Sequence, residues 1–195
     1  MPNAPNLLAV DWSKLPAPSD DGACSHLTGI QVPSLARPST SGTDIDLAEL
    51  RGRVVLYVYP MTGLPNVALP DGWDGIPGAR GCTPQSCAFR DHFSDLVAAG
   101  AGHVFGLSSQ DTAYQREAAE RLQLPFPLLS DWNLALTQAL GLPVFEVEGR
   151  TLLKRLALVI DEGHITKVFY PVFPPDRNAA DVLAWLRTHP VRGAA

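Results

Sequence analysis

The residues with the clearest chemical potential are two cysteines, Cys82 and Cys87, which lie five positions apart. The next two residues after the first cysteine predict the start of a helix, with Thr83 as N-cap and Pro84 at the first helical position. Unpaired backbone N–H groups and the positive end of the helix dipole then lie near Cys82 and favour thiolate, the nucleophilic form. The pattern predicts a reactive thiol at Cys82, with Cys87 as the partner of its oxidised form.

Three other interpretations of this cysteine pair stay open. Cys87 is a candidate for simple core packing, because cysteine is among the most buried residue types. A static disulfide would be strained, because in one helix the two Cα atoms lie roughly 8–9 Å apart and a relaxed bridge needs less than about 7 Å. A metal site with His92 as third ligand is disfavoured, because zinc sites usually have tighter cysteine pairs and a second ligand pair. Reversible redox chemistry is the favoured interpretation.

Length, charge and cysteine usage limit the classes of function. The chain has 195 residues, which suits one domain with a substantial core. Its net charge of -5 argues against a nucleic-acid partner, and no apolar run is long enough to span a membrane. The N-terminus does not resemble a secretory signal, so we expect a cytoplasmic protein, where a cysteine pair is more often catalytic than structural. The third cysteine, Cys24, is expected to be a free thiol.

The order of the elements predicts the fold class. Residues 1–30 are rich in Pro, Asp and Ala, which indicates an extended surface segment with a short helical turn, and residues 31–195 are expected to form a single domain. The alternation of strands and helices, followed by a hairpin, predicts an α/β fold with a mixed central sheet and helices on both faces. The predicted strands are 43–47, 53–59, 103–109, 156–160 and 165–170, and the predicted helices are 84–99, 112–122, 131–140 (capped by Asp131) and 178–188.

The run of apolar residues at 53–59 predicts a strand that is buried on both faces and ends at Pro60. Because crossovers between parallel strands are right-handed, the loop after this strand reaches the carboxyl edge of the sheet. Cys82 is therefore expected at that edge. The intervening stretch has no periodicity, and long structureless loops inside a compact domain are more often functional than not.

On these residues the chain resembles the peroxiredoxins, specifically the PrxQ or bacterioferritin-comigratory-protein type. The resemblance covers roughly residues 30–190, and its most specific motif is Cys-x4-Cys followed by Ala-Phe-Arg-Asp. It implies a thioredoxin-like fold and thiol-dependent reduction of hydroperoxides. The other runs that support it are 54–60, 104–109, 127–131 and 154–161.

The resemblance also implies roles for single residues. Cys82 matches the peroxidatic cysteine and Cys87 the resolving cysteine. Arg155 matches the arginine that holds the thiolate and polarises the peroxide. No metal or organic cofactor is implied, and the expected partners are a hydroperoxide substrate and thioredoxin or a similar dithiol reductant. We expect a monomer, with a weak homodimer as the alternative.

The chain departs from the family in the loop before the first cysteine. The family motif Pro-x-x-x-Thr-x-x-Cys would require Pro and Thr where this sequence has Gly75 and Ala79. We infer an insertion at about residues 63–80. The nearest Pro and Thr precede this insertion, so Thr62 is the candidate for the family's threonine, together with Pro60.

Three functions of other kinds stay open beside a peroxidase. One is a non-catalytic redox sensor on the same fold, which signals by unwinding the helical turn between Cys82 and Cys87. A disulfide reductase or isomerase is disfavoured, because those enzymes favour Cys-x-x-Cys. A metal-binding module would use the two cysteines and His92.

Overall fold

In the computed structural model of this protein, residues 10–191 are described. The strands are β1 (Arg37–Pro38), β2 (Asp44–Ile45), β3 (Arg53–Val58), β4 (His103–Ser108), β5 (Leu128–Ser130), β6 (Val144–Val147), β7 (Arg150–Leu153), β8 (Leu156–Asp161) and β9 (His164–Phe169). The helices are α1 (Cys82–Asp91), α2 (Phe93–Ala98), α3 (Thr112–Arg121), α4 (Ala135–Leu140) and α5 (Asn178–Thr188), with 3-10 turns at Trp12–Lys14, Trp73–Gly75 and Pro175–Arg177.

The central sheet has five strands in the order β5-β4-β3-β8-β9. β3 pairs in parallel with β4 and antiparallel with β8, so the sheet is mixed. Every residue of β3 is buried, as expected for a central strand covered on both faces. The predicted fold class is confirmed.

Alternate residues of β3 pack into two different hydrophobic clusters. Val55 and Tyr57 lie in a cluster that includes Phe89 of α1 and Leu183 of α5. The neighbouring positions of the strand lie in a second cluster, which includes Leu136 of α4. Because successive side chains of a strand point to opposite faces, helices cover both sides of the sheet.

The predicted helix over 84–99 is two helices, α1 and α2, separated at His92. The prediction of Thr83 as N-cap is wrong, because α1 begins one residue earlier, at Cys82. Gly81 is the N-cap and has a φ of 108°, in the left-handed region. This glycine turns the chain into the helix without any side-chain cap, so Thr83 lies inside the first turn.

The predicted helix over 131–140 is four residues too long at its start, because α4 begins at Ala135. Asp131 nevertheless stabilises the helix N-terminus, although it lies outside the helix. Its buried carboxylate accepts hydrogen bonds from the backbone N–H groups of Leu136 at 3.1 Å and Thr137 at 2.7 Å. The capping chemistry was predicted at the correct residue, and the intervening turn was missed.

The N-terminal segment is more buried than the sequence predicts. Its expected helical turn is present at Trp12–Lys14, and residues 1–9 lie outside the described range. Cys24 and Leu27, however, are buried in the same hydrophobic cluster as the far face of β3.

Strand β5 and the hairpin of β6 and β7 were not predicted, and the strand expected at 43–47 is limited to β2. No helix within residues 10–191 is long and apolar enough to cross a membrane.

Candidate active site

Cys82 is the first residue of α1, where backbone N–H groups lack partners within the helix. The residue is only 4% exposed. The glycine before it is required by space as well as by conformation. A Cβ at Gly81 would lie 2.7 Å from ring atoms of both Trp12 and Pro175. These two side chains therefore close the turn from outside and fix where the helix begins.

Arg155 reaches the sulfur from a distant part of the chain. It directly precedes β8, whose first residue pairs with the last residue of β3, so it lies beside the carboxyl end of that central strand. Its buried guanidinium donates from Nη2 to Cys82 Sγ at 3.2 Å. A guanidinium at this distance interacts favourably with negative charge on the sulfur. The structure thus brings together two of the predicted site residues.

Arg155 also binds the end of the loop that precedes α1. Its Nε and Nη2 atoms donate to the carbonyl oxygens of Gly78, Ala79 and Arg80 at 3.3, 3.1 and 3.3 Å. Its Nη1 donates to Gln85 Oε1 in the first turn of α1. Because a guanidinium presents its N–H groups in a rigid plane, these contacts fix its orientation toward the sulfur.

Gln85 is itself held by a residue that the sequence did not single out. Its Nε2 donates to Oδ1 of Asn178, the first residue of α5, at 2.9 Å, and both side chains are buried. With the amide nitrogen engaged there, the amide oxygen faces Arg155. No signal in the sequence indicates this contact, because it joins the first turns of two helices that are 93 positions apart.

A small cavity gives access to Cys82. Its volume is about 20 Å³. In the same hydrophobic cluster as Cys82 lies Tyr59, whose buried hydroxyl has no hydrogen-bond partner among residues 10–191. The cavity is lined by Met61, Gly63, Leu69, Trp73, Arg80, Gly81, Cys82, Thr83 and Pro84.

Comparison with known proteins then decides the family. The Redoxin family model matches residues 27–183. The chain belongs to the redoxin family. Its relatives within that family are peroxiredoxins Q: the chloroplast protein of Oryza sativa subsp. japonica is 31% identical, over 82% of this chain and 66% of its own length. That of Populus jackii is 30% identical, over 82% of this chain and 68% of its own length.

This redoxin also matches solved structures of the same type. Peroxidoxin BcpB from Mycobacterium tuberculosis superposes with a TM-score of 0.66 at 28% identity, covering 84% of this chain and 98% of that one. Peroxiredoxin Q from Xanthomonas campestris, with a TM-score of 0.63 and 23% identity, has the same fold. The match spans about two thirds of the length of the plant relatives. The predicted resemblance to PrxQ proteins is confirmed.

Thr62 of this redoxin has hydrogen-bond partners other than the Cys82 sulfur. Its buried hydroxyl donates to Gln110 Oε1 at 3.2 Å, and its backbone N–H donates to the same atom at 2.9 Å. Tyr114 donates its hydroxyl to the Thr62 carbonyl at 3.0 Å. The structure does not bring Thr62 into hydrogen-bond contact with Cys82. The residue three positions before the cysteine, Ala79, offers its carbonyl oxygen to the sulfur at 3.7 Å.

The other two cysteines of the redoxin are also free thiols. Cys87 is buried within α1, and burial raises its pKa above the ordinary thiol value. Cys24 is buried on the far side of the sheet, where burial and then the Asp21 carboxylate raise its pKa to about 12. His92, the third ligand considered for a metal, ends α1. Within residues 10–191 no cluster of three or more His, Cys, Asp or Glu side chains could hold a metal ion.

Proposed function

We propose that this redoxin is a thiol-dependent peroxidase in which Cys82 reduces hydroperoxides. The observation that carries the proposal is the 3.2 Å contact between Arg155 Nη2 and Cys82 Sγ in a buried site at the start of α1. Attack by a thiolate on a peroxide moves negative charge onto the departing oxygen, and preorganised donors stabilise that charge. The names of the plant relatives support the same activity.

In the first step the Cys82 sulfur forms a bond to the terminal oxygen of ROOH while the O–O bond breaks. The departing RO⁻ takes up a proton and leaves as an alcohol, or as water when the substrate is hydrogen peroxide. Cys82 becomes a sulfenic acid. Arg155 and the free N–H groups at the start of α1 supply the donors that stabilise the transition state.

In the second step Cys87 is the resolving thiol. Its sulfur attacks the sulfenic sulfur, the S–S bond forms, and the oxygen leaves as water. Both cysteines lie in one continuous helix, in which their Cα atoms are roughly 8–9 Å apart by helix geometry, so α1 must unwind locally for the bridge to close. A dithiol such as thioredoxin then reduces the disulfide. We further propose that the protein is a monomer and acts in a reducing compartment such as the cytoplasm.

The test is turnover of hydrogen peroxide by the purified protein with thioredoxin, thioredoxin reductase and NADPH. Wild-type protein is expected to turn over repeatedly, and Cys82→Ser is expected to consume no peroxide, because a serine hydroxyl is not ionised near neutral pH. Cys24→Ser is the matched control, since it also removes a buried thiol, and it should retain activity. Turnover by Cys82→Ser would disprove the proposal.

The resolving role of Cys87 is tested on the oxidised protein. Peptide mapping should find one intramolecular disulfide between Cys82 and Cys87, and amide hydrogen exchange should be faster across α1 than in the reduced form. Cys87→Ser should stall as the sulfenic acid and over-oxidise at high peroxide. A bridge to Cys24 or to a second chain would assign resolution elsewhere. Consumption of a single equivalent without turnover would favour the redox sensor.

A further inference from the structure

The segment at residues 63–80, here called the lid loop, supplies part of the lining of the Cys82 cavity. It contains one 3-10 turn, at Trp73–Gly75, and otherwise lacks regular structure. Trp73 is nevertheless only 4% exposed. A loop that buries its largest side chain has a packed, defined conformation rather than many open ones.

The lid loop forms a small hydrophobic core of its own with the hairpin of β6 and β7. Trp73 packs with Met61, Val147 and Leu152, and its ring centroid lies 6.1 Å from that of Phe145. This cluster is separate from the two that cover the central sheet. The hairpin therefore holds the lid loop in place by the same apolar burial that stabilises any core.

Polar contacts hold the lid loop at several points along its length. At its first residue, Arg121 Nη2 donates to the Gly63 carbonyl at 3.1 Å. In the middle, the backbone N–H of Asp71 donates to Glu148 Oε1, in the turn of the hairpin, at 3.0 Å. Near its end, Arg80 forms an ion pair with Asp74 at 3.0 Å. With the carbonyls bound by Arg155, these contacts fix both ends of the loop beside Cys82.

The space that the lid loop leaves beside Cys82 is very small. The cavity at Cys82 measures about 20 Å³. A cavity needs at least about 10–15 Å³ to hold one water molecule. The available volume is thus on the scale of one or two small oxygen-containing molecules. Hydrogen peroxide matches that scale, whereas the aromatic group of cumene hydroperoxide is several times larger.

We propose that the lid loop imposes a size limit on the hydroperoxide substrate, and that Trp73 is the residue that sets it. Hydrogen peroxide and other small hydroperoxides reach the sulfur through this narrow cavity. A bulky hydroperoxide reacts only after the Trp73 cluster opens. Opening exposes the Trp73 side chain to water and loses the stabilisation that its burial provides. This inference rests on the proposed peroxidase function and adds its substrate class.

The experiment compares kcat/KM for hydrogen peroxide with kcat/KM for cumene hydroperoxide. Wild-type protein is expected to favour hydrogen peroxide at least tenfold. Trp73→Ala should move the ratio of the two constants at least tenfold toward cumene hydroperoxide, because it removes the bulkiest side chain that lines the cavity. Trp73→Phe should give an intermediate ratio and preserves most of the packing. Trp132→Ala is the control, since this tryptophan is 63% exposed and does not line the cavity.

Equal constants for the two peroxides in wild-type protein would overturn the size limit, and so would an unchanged ratio in a folded Trp73 variant. Circular dichroism establishes folding, and if Trp73→Ala does not fold, Leu69→Ala opens the same cavity from a half-buried position. An absence of Cys82-dependent turnover with both peroxides would contradict the peroxidase function itself. That outcome is distinct from turnover without size discrimination.

Discussion

Cys82 and Cys24 are buried to almost the same extent, with 4% and 6% of their surface exposed, but their charged neighbours have opposite sign. Cys82 Sγ accepts a hydrogen bond from the Arg155 guanidinium. Near Cys24 the adjacent cation, Lys154, is paired with Asp21 at 2.7 Å, and that carboxylate raises the thiol pKa further after burial has raised it. Two consecutive basic residues thus create two different environments for sulfur.

The difference shows that burial by itself does not decide what a cysteine does. Burial raises the pKa of Cys24, whereas the equally buried Cys82 sulfur accepts a hydrogen bond from a guanidinium, which interacts favourably with negative charge. The other contacts of Arg155, with backbone carbonyls and with Gln85, hold its guanidinium against that sulfur. A buried cysteine without such a partner behaves as a small apolar side chain.

The largest expected effect is on alkylation rates. With a pKa of about 12, roughly one part in 10⁵ of Cys24 is thiolate at pH 7. We expect iodoacetamide to modify Cys82 at least 10³-fold faster than Cys24 in native protein, measured by mass spectrometry of peptides over time. The rate at Cys24 should rise about tenfold with each pH unit up to about pH 12. In guanidinium chloride the difference should vanish, and equal rates in native protein would refute the comparison.

The second effect concerns the two consecutive cations. Arg155→Met should lower kcat/KM for hydrogen peroxide by about 10²-fold, the scale of losing one charge-stabilising donor. Lys154→Met is the matched control, because it removes a cation one residue away that pairs with Asp21 and not with Cys82. It should leave kcat/KM within about twofold. A near-normal rate in Arg155→Met would limit this arginine to a structural role.

The smallest effect is expected at Thr62. Its hydroxyl donates to Gln110 and not to Cys82, so Thr62→Val should leave kcat/KM within about twofold. The free energy of unfolding should fall by about 1 kcal/mol, the usual worth of one buried hydrogen bond, as measured by urea denaturation. A tenfold loss of kcat/KM in a stably folded variant would instead assign this threonine to the chemistry.

Elements with strong local signals were predicted closely from the sequence. The helix expected at 178–188 has the bounds of α5, and the hairpin expected around residues 161–164 joins β8 and β9. Both depend on patterns within one element, namely an apolar face at helical spacing and a Gly-containing turn. The hairpin of β6 and β7 was missed although its turn, Glu148-Gly149, has positive φ at both residues. The turn at Glu162-Gly163 has the same residue pair, so the difference lies in the flanking strands: β6 and β7 have four residues each, and β8 and β9 have six.

The contacts that build the site were harder to predict, because they join residues far apart in the sequence. The pairing of Cys82 with Arg155 was suggested only by the family resemblance, since 73 residues separate them. The contact between Gln85 and Asn178 joins the first turns of two helices, and no local pattern indicates it. The burial of Cys24 likewise depends on α4 and the far face of the sheet. Such arrangements follow from tertiary packing and not from periodicity.

The turn at Gly81 also depends on residues from distant parts of the chain. Trp12 and Pro175, which close that turn, come from opposite ends of the chain, and Trp12 donates a hydrogen bond to Asp176 Oδ2 at 2.9 Å. The family match begins at residue 27, so Trp12, one of the two residues that close the turn beside Cys82, lies outside it. A shortened protein that retained only the matched region would keep every residue of the proposed chemistry. It would lose Trp12, which helps to fix where α1 begins. The structural support of the proposed nucleophile therefore extends beyond the region that the family model matches.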